Sequence, residues 1–450
     1  MSGIELTLYG FAGMLTMIAL RVPIAVAMAV TGFIGVWVTL GRPDPALNQL
    51  KSVTFDTFSS YSLSIIPLFL LMGQFASKSG MSAKLFRAAA DWMGHRKGGI
   101  AMASVGACAG FGAVSGSSLA TASTMGQVAL PEMKKYGYSD ALSTGALAAG
   151  GTLGILIPPS VILVIYAIQT EQNIEKMFAA AIIPGIIAAL GYMLVVALYV
   201  RLKPDAATAQ PKVALAQRMR SLGGVWPVVM IFVLVIGGIA GDWNWFRDGR
   251  QALFTPIEGA AVGAVATGLY GLATRSLGRR AIVDCVLETA KATAMIYFIL
   301  FGAALFNMFL AFTQTPQLLA DWVTTQGFAP MTVLLLMLVT YLIFGCVMDS
   351  LSMILLTIPI FFPIVMALDF GLTPEETAIW FGIIVLIVVE VGLITPPVGM
   401  NLFIINALAK GVPIQTTYRG VAPFVLSDLV RVIVLIAAPG LSLWLVRVTF

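Results

Sequence analysis

What most constrains this chain is the length and continuity of its apolar stretches. Segment after segment of Leu, Ile, Val, Ala and Gly matches the roughly 20 apolar residues that one helix needs to cross a bilayer. Only 10% of its 450 residues are charged, against roughly 25% in a soluble domain, and the mean hydropathy is +0.95, which excludes a soluble globular fold. A β-barrel is excluded too, because its strands would read as segments of about ten residues of alternating polarity. The chain reads as an all-α polytopic membrane protein.

Spanning segments are expected near residues 5–20, 23–40, 60–77, 140–169, 178–200, 224–241, 257–273, 291–313, 378–409 and 421–446. Two further apolar stretches, 99–131 and 330–366, are each interrupted in the middle, by Ser115-Gly116-Ser117-Ser118 and by Asp349-Ser350-Leu351-Ser352. Each reads as two short limbs meeting at a tip. The first is flanked by Lys78, Lys84, Arg87, Arg96 and Lys97 against Asp91, and by Lys134 and Lys135 beyond it, so the positive-inside rule puts both flanks in the cytoplasm. Limbs of about 15 residues are shorter than a span, so a re-entrant hairpin is expected. The second is flanked by Asp321, Asp369, Glu375 and Glu376 with no Lys or Arg, and is expected to enter from the periplasm.

The remaining charges fit the same count. Arg201, Lys203, Lys212, Arg218 and Arg220 outweigh Asp205, and Arg275, Arg279 and Arg280 form a second basic cluster, whereas the loops at 41–57 and 242–250 balance their charges. The stretches 80–95 and 278–289 are amphipathic and read as interfacial helices. Five passes precede the basic loop, so the second half is inverted. The expected organisation is a first repeat over 1–200 (hairpin 99–131, broken helix 140–169), a cytoplasmic linker over 201–223, and a second, inverted-topology repeat over 224–450 (hairpin 330–366, broken helix 378–409). No cleavable leader is apparent, so the first apolar segment is expected to remain as a helix.

The repeat has its own signature. Gly-Ile-Leu-Ile-Pro-Pro at 154–159 matches Gly-Leu-Ile-Thr-Pro-Pro at 392–397, each mid-way along an apolar segment that follows an interrupted one. A double proline removes two backbone donors and clashes with the preceding turn, so both helices are expected to break near the bilayer midplane. Discontinuous helices in corresponding positions of two inverted repeats point to a transport site, although two simple kinks would read the same way.

Carbonyl ends and hydroxyls at such breaks suit a hard cation such as Na⁺, and half-helix N-termini favour an anionic substrate. The candidates are Ser115, Ser117 and Ser118 at the first tip with Gly154, Ile157 and Pro158 at its break, then Asp349, Ser350 and Ser352 at the second tip with Gly392, Thr395 and Asn401. Structural roles compete with these: Ser117 or Ser350 can cap its second limb, and Asp349 can be both cap and counter-charge. Glu390, costly at membrane depth, either serves the site or hydrogen-bonds unwound backbone; Asp349 and Glu390 are also the candidates for ion or proton coupling. Glu288 with Lys291 and Asp428 with Arg431 are expected as intrahelical pairs.

Other chemistries lack their residues. Cys108, Cys285 and Cys346 are scattered with no CxxC, and the lone His95 reads as a solvated loop residue. There is no nucleophile elbow and no phosphate-cradling G-x-x-x-x-G-K-[ST] loop, so neither an enzyme nor direct ATP coupling is expected, and an ion gradient is the energy source. The net charge of +5 is spread over short loops and signals membrane orientation rather than nucleic acid.

The runs Ser115-Gly-Ser-Ser-Leu-Ala-Thr-Ala, Pro131-Glu-Met-Lys-Lys-Tyr-Gly-Tyr138, Gly154-Ile-Leu-Ile-Pro-Pro-Ser160, Asp349-Ser-Leu-Ser-Met-Ile-Leu-Leu-Thr-Ile-Pro359 and Glu390-Val-Gly-Leu-Ile-Thr-Pro-Pro-Val-Gly-Met-Asn401 resemble the large permease (M) subunit of tripartite ATP-independent periplasmic (TRAP) transporters. The resemblance covers essentially the whole chain. It implies an elevator-type carrier in the bacterial inner membrane, using Na⁺ and no organic cofactor to import a small organic acid. It also implies a periplasmic binding protein and a small four-helix membrane subunit, the latter on a separate chain since nothing precedes the span at Ile4. By this resemblance sodium falls on Ser115, Ser117, Gly154, Pro158, Ser350, Gly392 and Thr395, and substrate near Ser118, Thr121, Thr357 and Asn401. A stand-alone Na⁺/dicarboxylate symporter would share the hairpins and breaks. An ion channel is the more distant alternative.

Overall fold

The structure, a computed structural model, describes residues 3–240 and 253–450; the charge-balanced loop expected at 242–250 lies outside them. Among the described residues all regular structure is helical. The first half runs α1 (Gly3–Ala19), α2 (Ile24–Leu40), α3 (Asp44–Ser59), α4 (Ile65–Lys78) and α5 (Met81–Met93). A helical hairpin follows, α6 (Gly99–Ser115) and α7 (Ser118–Lys135), then a broken helix, α8 (Asp140–Leu156) and α9 (Val161–Gln169), and the long α10 (Ile174–Leu202). The second half opens with α11 (Leu215–Phe232), which continues through a π-helical turn into α12 (Gly238–Ala240), then α13 (Pro256–Ala273), α14 (Arg279–Thr313) and α15 (Thr315–Thr325). Its hairpin is α16 (Pro330–Gly345) and α17 (Ser350–Met366), its broken helix α18 (Pro374–Leu393) and α19 (Met400–Leu408), and α20 (Ile414–Ala437) and α21 (Gly440–Thr449) close the chain.

Five of these helices are long and apolar enough to cross a membrane alone, and bent pairs raise the number to seven. One such pair is α8 with α9, bent by 45° at the first double proline. The starts are written in the local sequence: Ser139 caps α8, Asn173 caps α10, and Thr373 with Glu376 forms a capping box that opens α18.

The structure revises several expectations. Most of the loop at 41–57 is α3, whose buried Ala46, Val53 and Thr57 share one helical face while its charges stay outside; its mixed polarity hid it from a search for spans. The stretch 278–289 is not a separate interfacial helix but the start of the 35-residue α14. At about 1.5 Å per residue that helix exceeds the roughly 30 Å hydrocarbon core, so its charged first turns extend beyond the span. The segment 421–446 is not one helix, because α20 stops at Ala437 ahead of Pro439. His95 sits half-buried in the turn after α5 rather than fully solvated. The cysteines are buried and free, and both intrahelical pairs form: Glu288 to Lys291 at 2.8 Å and Asp428 to Arg431 at 2.8 Å.

The two broken helices occupy the centre. Every residue of α8 from Leu142 to Leu156 and of α18 from Thr377 to Leu393 is buried. Helix α8 packs on α6, α7 and α20, while α18 packs on α16, α17, α10 and α20. The helices α1, α2, α3 and α14 pack mainly among themselves, while α4 packs on α13 and α14 and also reaches α6 of the first hairpin.

Candidate transport site

In the first half the hairpin tip docks on the break. Helix α8 ends because residues 158 and 159 are prolines, so the carbonyls of Gly154 and Ile155 meet no amide proton four residues on. Ser160 starts α9 by accepting from Leu163 N at 3.4 Å. At the tip α6 ends on Gly116, left-handed at φ +60°, and Ser117 caps α7 by accepting from Ala120 N at 3.4 Å. Ser115 and Thr121 hydroxyls lie 2.7 Å apart. A methyl built on Gly154 would stand 2.5 Å from the Ser117 carbonyl oxygen and against Thr121 Oγ1, and one on Gly116 would stand 2.8 Å from Pro159 O. Ser117 O and Thr121 Oγ1 thus lie against the Gly154 backbone, with Ser115 Oγ bonded to Thr121 and Pro159 O lying against Gly116 at the tip. These neutral hard donors suit a small hard cation.

The second half repeats the contact. A methyl on Gly392 would lie 2.6 Å from Gly345 Cα, as one on Gly112 would lie 2.7 Å from Gly154 Cα. Each hairpin's first limb thus meets the residue ahead of the double proline backbone to backbone, which only glycine allows. Gly399 N donates to Cys346 O at 3.3 Å, adding a second tie between tip and break. Here the cap is Asp349, accepting from Ser352 N at 3.0 Å and Ser352 Oγ at 2.5 Å, and not Ser350. Ser350 instead donates to Glu390 Oε1 at 3.0 Å. Thr395 lends its hydroxyl to Val391 O at 2.6 Å, and Tyr418 reaches Pro397 O at 2.7 Å. The breaks differ in setting: Pro158 and Pro159 are buried, Pro396 and Pro397 exposed.

Glu390, 1% exposed, does not bond unwound backbone; its carboxylate also accepts from Ser118 Oγ of the first tip. Thr121 and Asn401 share a neighbourhood, because Asn401 Nδ2 donates to Ala148 O at 3.4 Å and lies beside Gly151, which itself abuts Ala122. Among the described residues the buried Asn401 Oδ1 has no hydrogen-bond partner. Thr357 is not brought to the tips. It lies about two helical turns along α17, with its hydroxyl bonded to Tyr341 OH at 2.8 Å and Met353 O at 2.7 Å inside the hairpin.

Sequence reasoning missed Gly112 and Gly345, whose signal was a glycine just ahead of each tip. It also missed a buried network in which Tyr192 OH donates to Asp428 Oδ2 at 2.7 Å and lies 3.0 Å from Thr152 Oγ1, with the Arg431 guanidinium 5.9 Å from the Tyr192 ring. It ties α8 to α10 and α20 just ahead of the first break.

A family model described as the DctM component of tripartite ATP-independent periplasmic transporters matches residues 11–441. The chain belongs to this family. It is 37% identical over 407 residues to the C4-dicarboxylate TRAP transporter large permease protein DctM of Pseudomonas aeruginosa, covering 90% of this chain and 91% of that protein. The DctM of Vibrio cholerae is 31% identical over 95% of both chains. Among solved structures, the YdaH transporter of Alcanivorax borkumensis superimposes with a TM-score of 0.65 at 16% identity, covering 88% of this chain and 89% of that one, a likeness of fold. The DctM-family chain is therefore a transporter and not an enzyme: the large permease of a tripartite system, multi-pass in the bacterial inner membrane.

Proposed function

We propose that this permease imports a small carboxylate with Na⁺, by an elevator motion of the two hairpins and broken helices against the outer helices. The observation that carries the reading is the recurrence, in both halves, of a hairpin tip docked glycine to glycine on a Pro-Pro break. Two half-sites that share the same glycine contact between tip and break are what a pair of inverted repeats would use to hold coupling ions at mid-membrane. Sodium would sit among Ser115, Ser117, Gly154 and Pro158 in the first half and Ser350, Gly392 and Thr395 in the second. Substrate would lie near Ser118, Thr121 and Asn401, the last with its buried Oδ1 unpartnered among the described residues. Asp349 and Glu390 would contribute charge to ion coupling. The carboxylate class follows the C4-dicarboxylate relatives, and the repeats are taken as 1–200 and 224–450 around the basic linker 201–223.

The partners in this reading are a small four-helix membrane subunit, a periplasmic binding protein that delivers the acid, and the lipid around the exposed apolar faces of α2, α11 and α14. The test is reconstitution in proteoliposomes with succinate as probe. Uptake should require the small subunit, the loaded binding protein and an inward Na⁺ gradient, and should vanish when K⁺ replaces Na⁺. Uptake by the isolated chain at rates indifferent to the binding protein would instead identify a stand-alone symporter.

A further inference from the structure

One carboxylate joins the two halves. Glu390 stands in the last turn of α18, two residues before Gly392, and takes one hydroxyl from each hairpin: Ser118, 272 residues away in sequence, on Oε2, and Ser350, 40 residues away, on Oε1 at 3.0 Å. Ser118 opens α7 and Ser350 opens α17, so the two donors hold the same position in their hairpins. The equivalent of Glu390 in the first half is Thr152, two residues before Gly154. Its hydroxyl turns away from the tips to Ala149 O at 2.7 Å and Tyr192. The repeat is broken at this position, and the unmatched copy serves both tips.

Among the described residues no Lys, Arg or His forms an ion pair with Glu390, and Arg431 is already engaged with Asp428. A buried carboxylate held only by two hydroxyls is costly to ionise, and a nearby cation lowers that cost. We infer that Glu390 is the positioning residue that makes the two half-sites one: its two oxygens fix both tips, and its charge favours a cation in each. It acts through Ser118 and Ser350 and is not itself a ligand. Loading one half-site settles its tip, and the shared carboxylate passes that order to the other tip, so the second ion binds more easily. This deepens the Na⁺ reading above and rests on it.

The experiment titrates the purified full-length chain with Na⁺ against K⁺ at constant ionic strength, following the unfolding midpoint. The parent should be stabilised by Na⁺ with a slope above one. Glu390→Gln should raise the half-saturating Na⁺ by about 10-fold or more and lower the slope to about one. Ser118→Ala should do part of this and should not shift the Na⁺ midpoint by more than about twofold when added to Glu390→Gln, because it acts through that carboxylate, whereas Ser350→Ala, whose hydroxyl also stands among the proposed oxygens of the second ion, should shift it further. Parental midpoint and slope in a folded Glu390→Gln overturns the inference while leaving the Na⁺ reading intact, as does a Ser118→Ala effect that simply adds to it. If Glu390→Gln does not fold, the cycle of the two serine variants decides: non-additive effects support the bridge and additive effects overturn it. A parent indifferent to Na⁺ overturns the Na⁺ reading and the inference together.

Discussion

Gly154→Ala puts one methyl group into the first half-site. Built on the native backbone, that methyl stands 2.5 Å from Ser117 O and 2.9 Å from Ser117 C, and also meets Thr121 Oγ1. Ordinary carbon contacts need about 3.5 Å, so the tip must retreat by roughly 0.7 to 1 Å. Such overpacking costs about 1–3 kcal/mol, while alanine's better helix propensity returns about 0.5–1 kcal/mol, leaving a net loss of about 0–2.5 kcal/mol in stability without Na⁺. The effect on Na⁺ should be larger than on folding, because the retreat moves Ser117 O and Thr121 Oγ1, which the proposed ion would touch. A loss of about 1–3 kcal/mol in ion binding is roughly a 5- to 150-fold rise in half-saturating Na⁺. The assay is the Na⁺ dependence of uptake in the reconstituted three-component system, read beside the Na⁺-dependent shift in unfolding temperature. Gly13→Ala in α1, where a methyl meets nothing within 4 Å, is the control and should leave both unchanged. A folded Gly154→Ala whose Na⁺ dependence stays within twofold of the parent would refute the placement of an ion between tip and break.

Three other outcomes are expected. In a cysteine-free background, single cysteines at Lys97 and Lys135 should react only from the cytoplasm and those at Asp321 and Glu375 only from the periplasm; labelling of Lys97 and Lys135 from opposite sides would end the hairpin assignment. Thr395→Val removes a hydroxyl that bonds Val391 O at 2.6 Å, so a purely local role predicts a small stability loss at any Na⁺ concentration, whereas the proposed ligand role predicts a roughly 5- to 150-fold weaker Na⁺ response. Asp428→Ala leaves Arg431, 5% exposed, without its counter-ion and should destabilise by about 3–5 kcal/mol in thermal unfolding, with Arg431→Met added to it recovering part of the loss.

The hairpins and breaks were legible in the sequence because their causes are local. Pro158-Pro159 and Pro396-Pro397 withhold amide protons wherever they stand, and Ser117 and Asp349 cap the helices that follow them by bonds three residues long. The capping boxes that open α13 and α18 are equally local. The charged start of α14 was visible as amphipathic, yet whether it joined the span depended on packing beyond it.

What the amino-acid order determined by itself is that this chain lives in a membrane, where most of its apolar helices lie, and where two of them must break. Tertiary structure alone decided which way the side chains of those helices point. Helix α18 is buried in 94% of its spanning window and, Glu390 apart, apolar on every side of its buried length, so it has no polar face from which a direction could be read. For that reason nothing in the neighbourhood of Glu390 announced that its partners would be Ser118 and Ser350 of opposite hairpins. Likewise Thr357 stood in a promising run but turned into its own hairpin toward Tyr341, while Asn401 was carried against α8. Contacts between residues hundreds of positions apart depend on how the helices rotate as they pack, and a uniformly apolar sequence leaves that rotation to the glycine contacts and the few buried polar groups.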